Sequence, residues 1–250
     1  MVVLDETVVA ARDPHGWRPL VMGRLGDGWV FASETCALDI VGATLEREVL
    51  PGEIVAIDQH GLRSVQLPAA EQVHRCVFEH VYFARPDSKV FGGSVDRSRR
   101  ALGRQLAIEC PAPGAELVFA VPDSSNSAAL GYSEESGIPY ELALIRNHYI
   151  GRTFIQPTQA GRDAKVKVKY NPVRELLEGK SVVMVDDSIV RGTTTRGLVS
   201  LVRAAGAREV HMRVSSAPII SPCYYGIDTP RVEELIAAQP QQWHLQSPNW

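Results

Sequence analysis

The chain has 250 residues, of which 45% are hydrophobic and 22% charged, with a formal net charge of -3 and a pI near 6.2. This composition is typical of a soluble globular protein with a sizeable core, and it excludes a disordered or fibrous chain. The small negative charge gives no reason to expect a nucleic-acid partner, so any anionic ligand must be held locally.

Targeting and membrane signals are absent from the sequence. Asp5 and Glu6 stand where a signal peptide needs basic and then apolar residues, and no apolar run approaches the roughly 18 residues of a spanning helix. The four cysteines and seven histidines show none of the short paired spacings of zinc or thiol redox sites. We therefore expect a cytoplasmic protein with reduced cysteines and no membrane partner.

The first 72 residues predict a small β-rich unit. Strand signals cover five segments, which are residues 2–10, 19–25, 29–33, 53–58 and 62–67. The last two are predicted to pair as a hairpin across Gly61. Because few helical signals are available to cover its faces, we expect this unit to be part of a larger layered domain.

Residues 73–238 show alternating strand and helix signals. Strands are predicted at residues 116–121, 139–145, 181–185 and 209–214, and helices at residues 126–136 and 194–205. Such alternation predicts an α/β fold, in which flanking helices cover a parallel sheet. Residues 239–250 are rich in Gln and lack periodicity, so they are predicted to form a poorly ordered tail.

The string VVMVDDSIVRGTTT, residues 182–195, is the most informative segment. It places Asp186 and Asp187 at the carboxyl end of an apolar strand, before a short loop and a helix start. In α/β sheets this edge is where ligands bind. Gly192 permits close approach of the backbone, and the first helical turn offers N–H groups at the positive end of the helix dipole. The expected ligand is a phosphate group.

The adjacent carboxylates would repel a phosphate unless they bind something else. Ribose hydroxyls donate hydrogen bonds to carboxylates, and Mg2+ prefers oxygen ligands from carboxylates and substrate. Taken alone, an Asp-Asp pair more often caps a helix or lies in a solvated loop. The complete order of strand, acid pair, glycine and threonines is more specific and favours ligand binding.

Residues 186–194 resemble the loop that binds 5-phosphoribosyl 1-pyrophosphate (PRPP) in type I phosphoribosyltransferases. Longer segments are similar to the glutamine PRPP amidotransferase family, namely HRCVFEHVYFARPDS (74–88), FAVPDSSNSAALGY (119–132), GIPYELALIRNHYIGRTFIQPTQ (137–159) and SPCYYGIDTP (221–230). The similarity runs from about residue 1 to residue 238. It implies a type I phosphoribosyltransferase domain at residues 73–238. Residues 1–72 would be the part of an N-terminal-nucleophile glutaminase domain that lacks the nucleophile.

The resemblance implies roles for individual residues. Asp186 and Asp187 would hold the ribose hydroxyls and Mg2+, and Ser125, with Ser124 as the alternative, would lie near the metal and the pyrophosphate. Residues 147–170, which on their own suggest a solvated cationic loop, would be a lid that brings Tyr149 and Arg152 to the reacting centre. The loop that binds PRPP through its 5-phosphate would consist of Ser188, Ile189, Val190, Arg191, Gly192, Thr193 and Thr194.

The sequence departs from the family pattern at several places. Arg146 and His148 stand where relatives often have Lys and Arg. No Cys-Gly start is present, so glutamine hydrolysis by this chain alone is not expected. Cys76 and Cys223 match two of the four ligands of a [4Fe-4S] cluster found in some relatives. The later C-x-x-C pair has no counterpart, so no cluster is expected.

Two functions follow as expectations. The first is amidophosphoribosyltransferase-type chemistry, in which PRPP and ammonia give 5-phosphoribosylamine and pyrophosphate as the first step of purine biosynthesis. It implies Mg2+ as cofactor, purine nucleotides as inhibitors and a homo-oligomer. The alternative is a PRPP or nucleotide sensor without turnover, or an inactive truncated homologue.

Overall fold

A computed structural model describes residues 1–68, 70–148, 169–229 and 231–239 of the chain. It contains two compact units, Met1–Ser98 and Arg99–Trp250. This division falls later in the chain than the domain boundary predicted after residue 72. That boundary stays a prediction.

The first unit is mainly antiparallel β structure, as the sequence predicts. One sheet has the order β1-β2-β6-β7 and a second has the order β4-β3-β5. The strands are β1 Val2–Leu4, β2 Thr7–Ala11, β3 Val21–Leu25, β4 Gly28–Ala32, β5 Thr44–Glu48, β6 Glu53–Asp58 and β7 Gly61–Gln66. A small hairpin joins β8 Lys89–Val90 to β9 Gly93–Ser94, and the helical elements are α1 Thr35–Val41 and a π-helical turn at Glu79–Phe83.

One prediction for this unit is wrong in detail, and some elements, helix α1 among them, have no predicted counterpart. Residues 2–10 form two strands rather than one, because the chain reverses at Asp5, which has a φ of 48°, so that Leu4 pairs with Thr7. Aspartate tolerates this left-handed conformation, and no glycine marks the turn in the sequence. Helix α1 has no predicted counterpart, since its seven residues are too few to establish a helical period.

The second unit is built on a parallel sheet of order β10-β13-β14. Its strands are β10 Leu117–Ala120, β13 Ser181–Asp186 and β14 Glu209–Val214, and a separate antiparallel pair joins β11 Leu144–Arg146 to β12 Tyr170–Pro172. Helix α2, Val95–Glu109, begins in the last residues of the first unit and continues into the second. The other helices are α3 Asn126–Ser136, α4 Arg174–Leu177 and α5 Thr193–Ala204, with 3-10 turns at Val232–Glu234 and Ile236–Ala238. The α/β fold with a parallel sheet is confirmed.

The sheet is covered on both faces, which explains why its central strand is an unbroken apolar run. On one face Met184 packs in a cluster with Leu198 and Val202 of α5. On the other face Val183 packs in a cluster with Tyr132 of α3. Because successive residues of a strand point to opposite faces, a strand buried on both sides needs apolar residues throughout.

One prediction for the second unit is wrong, and one long helix is missing from the predicted elements. Residues 139–145 do not form one strand, because Tyr140 makes an isolated bridge to β10, while Leu144 begins the separate hairpin. Helix α2 has no predicted counterpart, since its arginines and polar residues hide the narrow apolar face.

The predicted tail, residues 239–250, lies outside the described residues except for Gln239, so its disorder stays a prediction. No helix of the described segments is long and apolar enough to cross a membrane.

Helices α2 and α3 touch backbone to backbone at two glycines. A Cβ atom added to Gly131 would lie 2.1 Å from the carbonyl oxygen of Arg100, and one added to Gly103 would lie 1.9 Å from that of Ala128. These distances are far below van der Waals contact, so any side chain at either position would force the helices apart. The crossing therefore fixes where α3 begins, at the carboxyl edge of the sheet.

We predict that Gly131→Ala lowers the free energy of unfolding by about 2 kcal/mol, because the cost of separating the helices exceeds the gain in helix propensity. Urea denaturation followed by circular dichroism measures the change. Glu135→Ala, at an exposed position of the same helix, is the matched control and is expected to stay within about 0.5 kcal/mol of the parent. Equal stabilities of the two variants would contradict the close contact.

Candidate active site

Asp186 and Asp187 lie at the carboxyl end of the central strand, at the edge where a ligand is expected. Asp186 is the last residue of β13, and Asp187 follows it with only 5% of its surface exposed. The backbone is held on the β14 side, because the amides of Ser215 and Ser216 donate to the carbonyl oxygens of Asp186 and Asp187, each over 3.0 Å. The strand and its neighbour thus fix both acids in place.

Serine hydroxyls from three positions surround the acid pair. Ser124 donates to Oδ2 of Asp187, and Ser188 donates to Oδ1 of the same carboxylate over 2.6 Å. Ser125 is fully buried, and its Oγ lies 3.2 Å from Oδ1 of Asp186 and 3.5 Å from Oδ2 of Asp187. Ser125 occupies the N-cap position of α3, yet its side chain makes no capping bond. Its hydroxyl faces the acids instead.

Burial changes the acidity of Asp186. Withdrawal from water, with the charge of Asp187 as the second cause, raises the pKa of Asp186 to about 7. Two hydrogen bonds lower the same pKa, one from the Asp187 amide over 2.9 Å and one from the Ser125 hydroxyl. Near neutral pH Asp186 is therefore only partly ionised, and a cation or a hydroxyl donor would favour its ionised form.

The loop after the acids leads into the N-terminus of α5. Gly192 is the N-cap residue and has a φ of 70°, a left-handed conformation that glycine adopts without steric cost. The helix has no side-chain cap and no acidic residue in its first turn. Its first N–H groups thus lack intrahelical acceptors and form a positive end suited to an anion.

A cavity of about 130 Å3 lies beside the segment that carries the serines. Its lining includes Asp123, Tyr140, Arg146 and His148, but neither acid of the pair. Arg146 forms an ion pair with Asp123 over 2.7 Å, and both side chains are partly exposed. The arrangement places one cation next to the serine turn. Because exposed ion pairs are weak, this guanidinium can exchange its partner at little cost.

Comparison with known proteins settles the relationship. No family model matches the chain. The chloroplastic amidophosphoribosyltransferase 1 of Arabidopsis thaliana is 56% identical over 236 residues, which cover 94% of this chain and 42% of the relative. The amidophosphoribosyltransferase of Bacillus subtilis is 53% identical over 238 residues, which cover 95% of this chain and 50% of the relative.

Two solved structures that resemble this chain belong to proteins of the same kind. Glutamine PRPP amidotransferase from B. subtilis, complexed with ADP and GMP, matches 98% of this chain with a TM-score of 0.87 and 50% identity. A structure described as the allosteric regulatory enzyme of purine biosynthesis matches 94% of the chain with a TM-score of 0.84 and 53% identity. The matches cover 54% and 50% of those chains.

The chain is homologous to the amidophosphoribosyltransferases. The family resemblance read from the sequence is confirmed. The chain spans about half the length of the curated relatives it matches.

The structure brings together part of the predicted site. Asp186, Asp187 and Ser125 meet at one point, as does Ser124, which the sequence offered only as an alternative. Thr193 opens α5, next to the loop formed by Ser188, Ile189, Val190, Arg191 and Gly192, and Thr194 follows it. What these residues bind stays a prediction.

The other predicted residues make no described contact with the acid pair or fall outside the residues that the structure describes. Tyr149 and Arg152 lie outside the described residues, so their roles stay predictions. Cys76 belongs to the first unit and Cys223 to the second, and both are free thiols. Within the described ranges, no group of three or more His, Cys, Asp or Glu residues is arranged to hold a metal ion.

Two contacts of the site have no counterpart in the sequence interpretation. Arg99 of α2 is 2% exposed and donates to the carbonyl oxygen of Ser124 over 3.4 Å. Glu234 accepts a hydrogen bond of 2.6 Å from Arg191. Neither residue stands in a recognisable motif, and each partner is more than 20 residues away, so no local signal identifies them.

We predict that Asp186→Asn stabilises the chain at high pH. An unfolded aspartate has a pKa near 3.9. Because the folded-state pKa is higher, ionised Asp186 costs stability above about pH 4, and the cost grows until it levels off above pH 7. The asparagine carbonyl can still accept the Asp187 amide. The expected gain in unfolding free energy at pH 8 is about 1–3 kcal/mol, and smaller at pH 5.

Urea denaturation at pH 5, 6.5 and 8, without substrate or divalent cations, measures this gain. Glu175→Gln, at an exposed position of α4, is the control and is expected to show no such trend. A gain for Asp186→Asn that does not increase with pH would show that burial of its charge is not the cause.

Proposed function

We propose that this chain carries the phosphoribosyl-transferring site of an amidophosphoribosyltransferase. The reaction joins ammonia to C1 of PRPP and releases pyrophosphate, which gives 5-phosphoribosylamine, the first step of purine biosynthesis. The observation that supports it most is the acid pair, Asp186 and the buried Asp187, before the uncapped N-terminus of α5. The homology to enzymes of that name supports the same assignment.

The residues of the site fit Mg2+. Asp186 and Asp187 supply carboxylate oxygens, and Ser125 supplies a hydroxyl within 3.5 Å of both. Mg2+ is commonly held by one or two carboxylates, with water and substrate phosphates completing its shell. A site with few protein ligands is therefore the expected kind. When bound, Mg2+ would offset negative charge on the pyrophosphate group.

The two ends of PRPP differ chemically, and the site offers different groups for them. The first turn of α5 and the loop 188–192 present N–H groups and hydroxyls suited to the 5-phosphate. The acid pair is suited to the ribose hydroxyls, which donate hydrogen bonds. Ser124 and Ser125 directly follow Asp123, which forms an ion pair with Arg146, and the pyrophosphate is proposed to carry its charge near that cation.

The chemistry proposed needs no covalent intermediate on the protein. The ammonia nitrogen forms a bond to C1 as the bond to the pyrophosphate oxygen breaks, and the product amine loses a proton. The protein contributes by holding the reactants in place and by stabilising the departing charge. Tyr149 and Arg152 are proposed to assist at this step from the lid predicted over residues 147–170.

The source of ammonia is proposed to be external to this chain. Cys36 is buried in the first unit, and its burial raises the pKa of its thiol, so it is poorly suited to act as a nucleophile. We propose likewise that no [4Fe-4S] cluster is built on Cys76 and Cys223. Purine nucleotides are proposed as inhibitors, since the B. subtilis relative is complexed with ADP and GMP.

Some expectations stay predictions. A homo-oligomer and a cytoplasmic location follow from the sequence reading. The Arabidopsis relative is described as chloroplastic, so the compartment is not common to all relatives. The alternative of a sensor without turnover is not favoured, because the similar proteins are named as transferases.

We predict that Asp187→Asn lowers ammonia-dependent release of pyrophosphate from PRPP at least about 100-fold, because it removes a charge that holds the metal and the ribose. A coupled pyrophosphatase assay measures release with ammonia, with glutamine and with neither. Ammonia alone is expected to support release by the parent chain. Glu175→Gln is the matched control and should retain the parent rate.

Thermal melts of both variants separate loss of activity from loss of folding. Full activity of a folded Asp187→Asn variant would contradict the proposed role of the acid pair. Binding of PRPP by the parent chain, without any product under saturating ammonia, would instead support the sensor alternative.

A further inference from the structure

Residues 231–239 contact the loop that follows the acid pair. The Ile236 amide donates to the carbonyl oxygen of Val190 over 2.9 Å. The Arg191 guanidinium donates from Nε to Oε2 of Glu234 over 2.6 Å. A Cβ atom added to Gly192 would lie 2.9 Å from Cδ1 of Ile236. Val190 and Arg191 thus bond to this segment, and Gly192 lies against it with no room for a side chain.

The segment is anchored in the second unit. Leu235 is fully buried and Ile236 is 5% exposed, although both belong to or flank short 3-10 turns. Arg231 donates to the other oxygen of Glu234 over 2.6 Å, so this carboxylate is shared by two guanidinium groups. Buried apolar side chains hold the segment in place, and its polar groups are then directed at the loop.

The conformation of the loop depends on Gly192. Its backbone is left-handed, which is one of many conformations accessible to glycine. Fixing the backbone of one residue costs roughly 1–2 kcal/mol of conformational entropy. A loop that is already held in its binding conformation avoids that cost when a ligand arrives, and it binds more tightly for that reason.

We infer that Glu234 and Ile236 are positioning residues, which hold the loop 188–192 in the conformation that receives the phosphate end of the substrate. The inference rests on the proposed function for the identity of the ligand. Arg191 acts together with them, because its guanidinium is directed at Glu234. We call Arg191, Glu234 and Ile236 the brace. The brace acts on the affinity for PRPP and not on the chemical step.

A direct role for Arg191 gives the opposite expectation. If its guanidinium left Glu234 to bind the phosphate, Glu234 would compete with the ligand. Removal of Glu234 would then tighten binding, and removal of Arg191 would weaken it. If both act through the brace, either removal weakens binding, and the double variant is no worse than the single variants.

The first experiment measures PRPP binding with Mg2+ by calorimetry for the parent chain, Glu234→Ala, Arg191→Ala and the double variant. We expect each single variant to raise the dissociation constant about tenfold, and the double variant to match them. In Glu234→Ala, KM for PRPP should rise by the same factor while kcat at saturating PRPP is retained. Glu233→Ala, whose side chain is exposed, is the control and should bind as the parent does.

Tighter binding by Glu234→Ala, or binding equal to that of Glu233→Ala, would overturn the brace. Additive losses in the double variant would also overturn it, because they would show that Arg191 contacts the ligand independently. A loss confined to kcat would do the same, since the brace acts before the chemical step.

Hydrogen–deuterium exchange provides a readout that needs no ligand. Amides of residues 188–194 should exchange about tenfold faster in Glu234→Ala than in Glu233→Ala, because the loop opens more often without its brace. Unchanged exchange would overturn the inference, whatever the parent chain binds. Faster exchange in Glu234→Ala, combined with a parent chain that fails to bind PRPP, would support the brace and refute the proposed function.

Discussion

The site depends on two carboxylates forced together at the end of a buried strand. Asp186 and Asp187 are consecutive residues, and Asp187 is 5% exposed. Like charges in a poorly solvated setting repel strongly, because little water is present to screen them. Burial raises the pKa of Asp186, and the charge of Asp187 adds to the rise. A protein that only needed a helix cap would have no reason to keep such an unfavourable pair, which is why the geometry favours a ligand with a cation and hydroxyl donors.

The parallel sheet creates this arrangement. Strand β13 lies between β10 and β14, so the segments that leave all three strands meet at one edge. The turn after β10 brings Ser124 and Ser125, the end of β13 brings the acids, and the extension of β14 fixes their backbone. The glycine contact between α2 and α3 holds the start of α3, and with it Ser125, near the acids. Each layer of the fold therefore contributes one side of the site.

Sequence patterns predicted the elements whose signals are local and missed the features that depend on distant residues. Helix α3 and strand β14 have the predicted bounds, because Gly137 ends the first in a left-handed conformation and polar turns flank the second. The motif at residues 182–195 was likewise sufficient to locate the acid pair and the helix start. By contrast, Arg191 and Glu234 are 43 positions apart, so no periodicity connects them. The pKa of Asp186 is a property of burial, which the order of residues does not give.

The serine contacts make the two acids chemically unequal. Ser124 and Ser188 already donate to Asp187, whereas Asp186 receives its bonds from Ser125 and a backbone amide. Both oxygens of Asp187 accept a serine hydroxyl, whereas the two bonds to Asp186 fall on its Oδ1. Because each carboxylate oxygen has two acceptor positions, a sugar hydroxyl or a cation could engage either acid while these bonds persist. A ligand that bridges the pair would therefore meet one carboxylate held by hydroxyls at both oxygens and one held at a single oxygen, partly by the backbone.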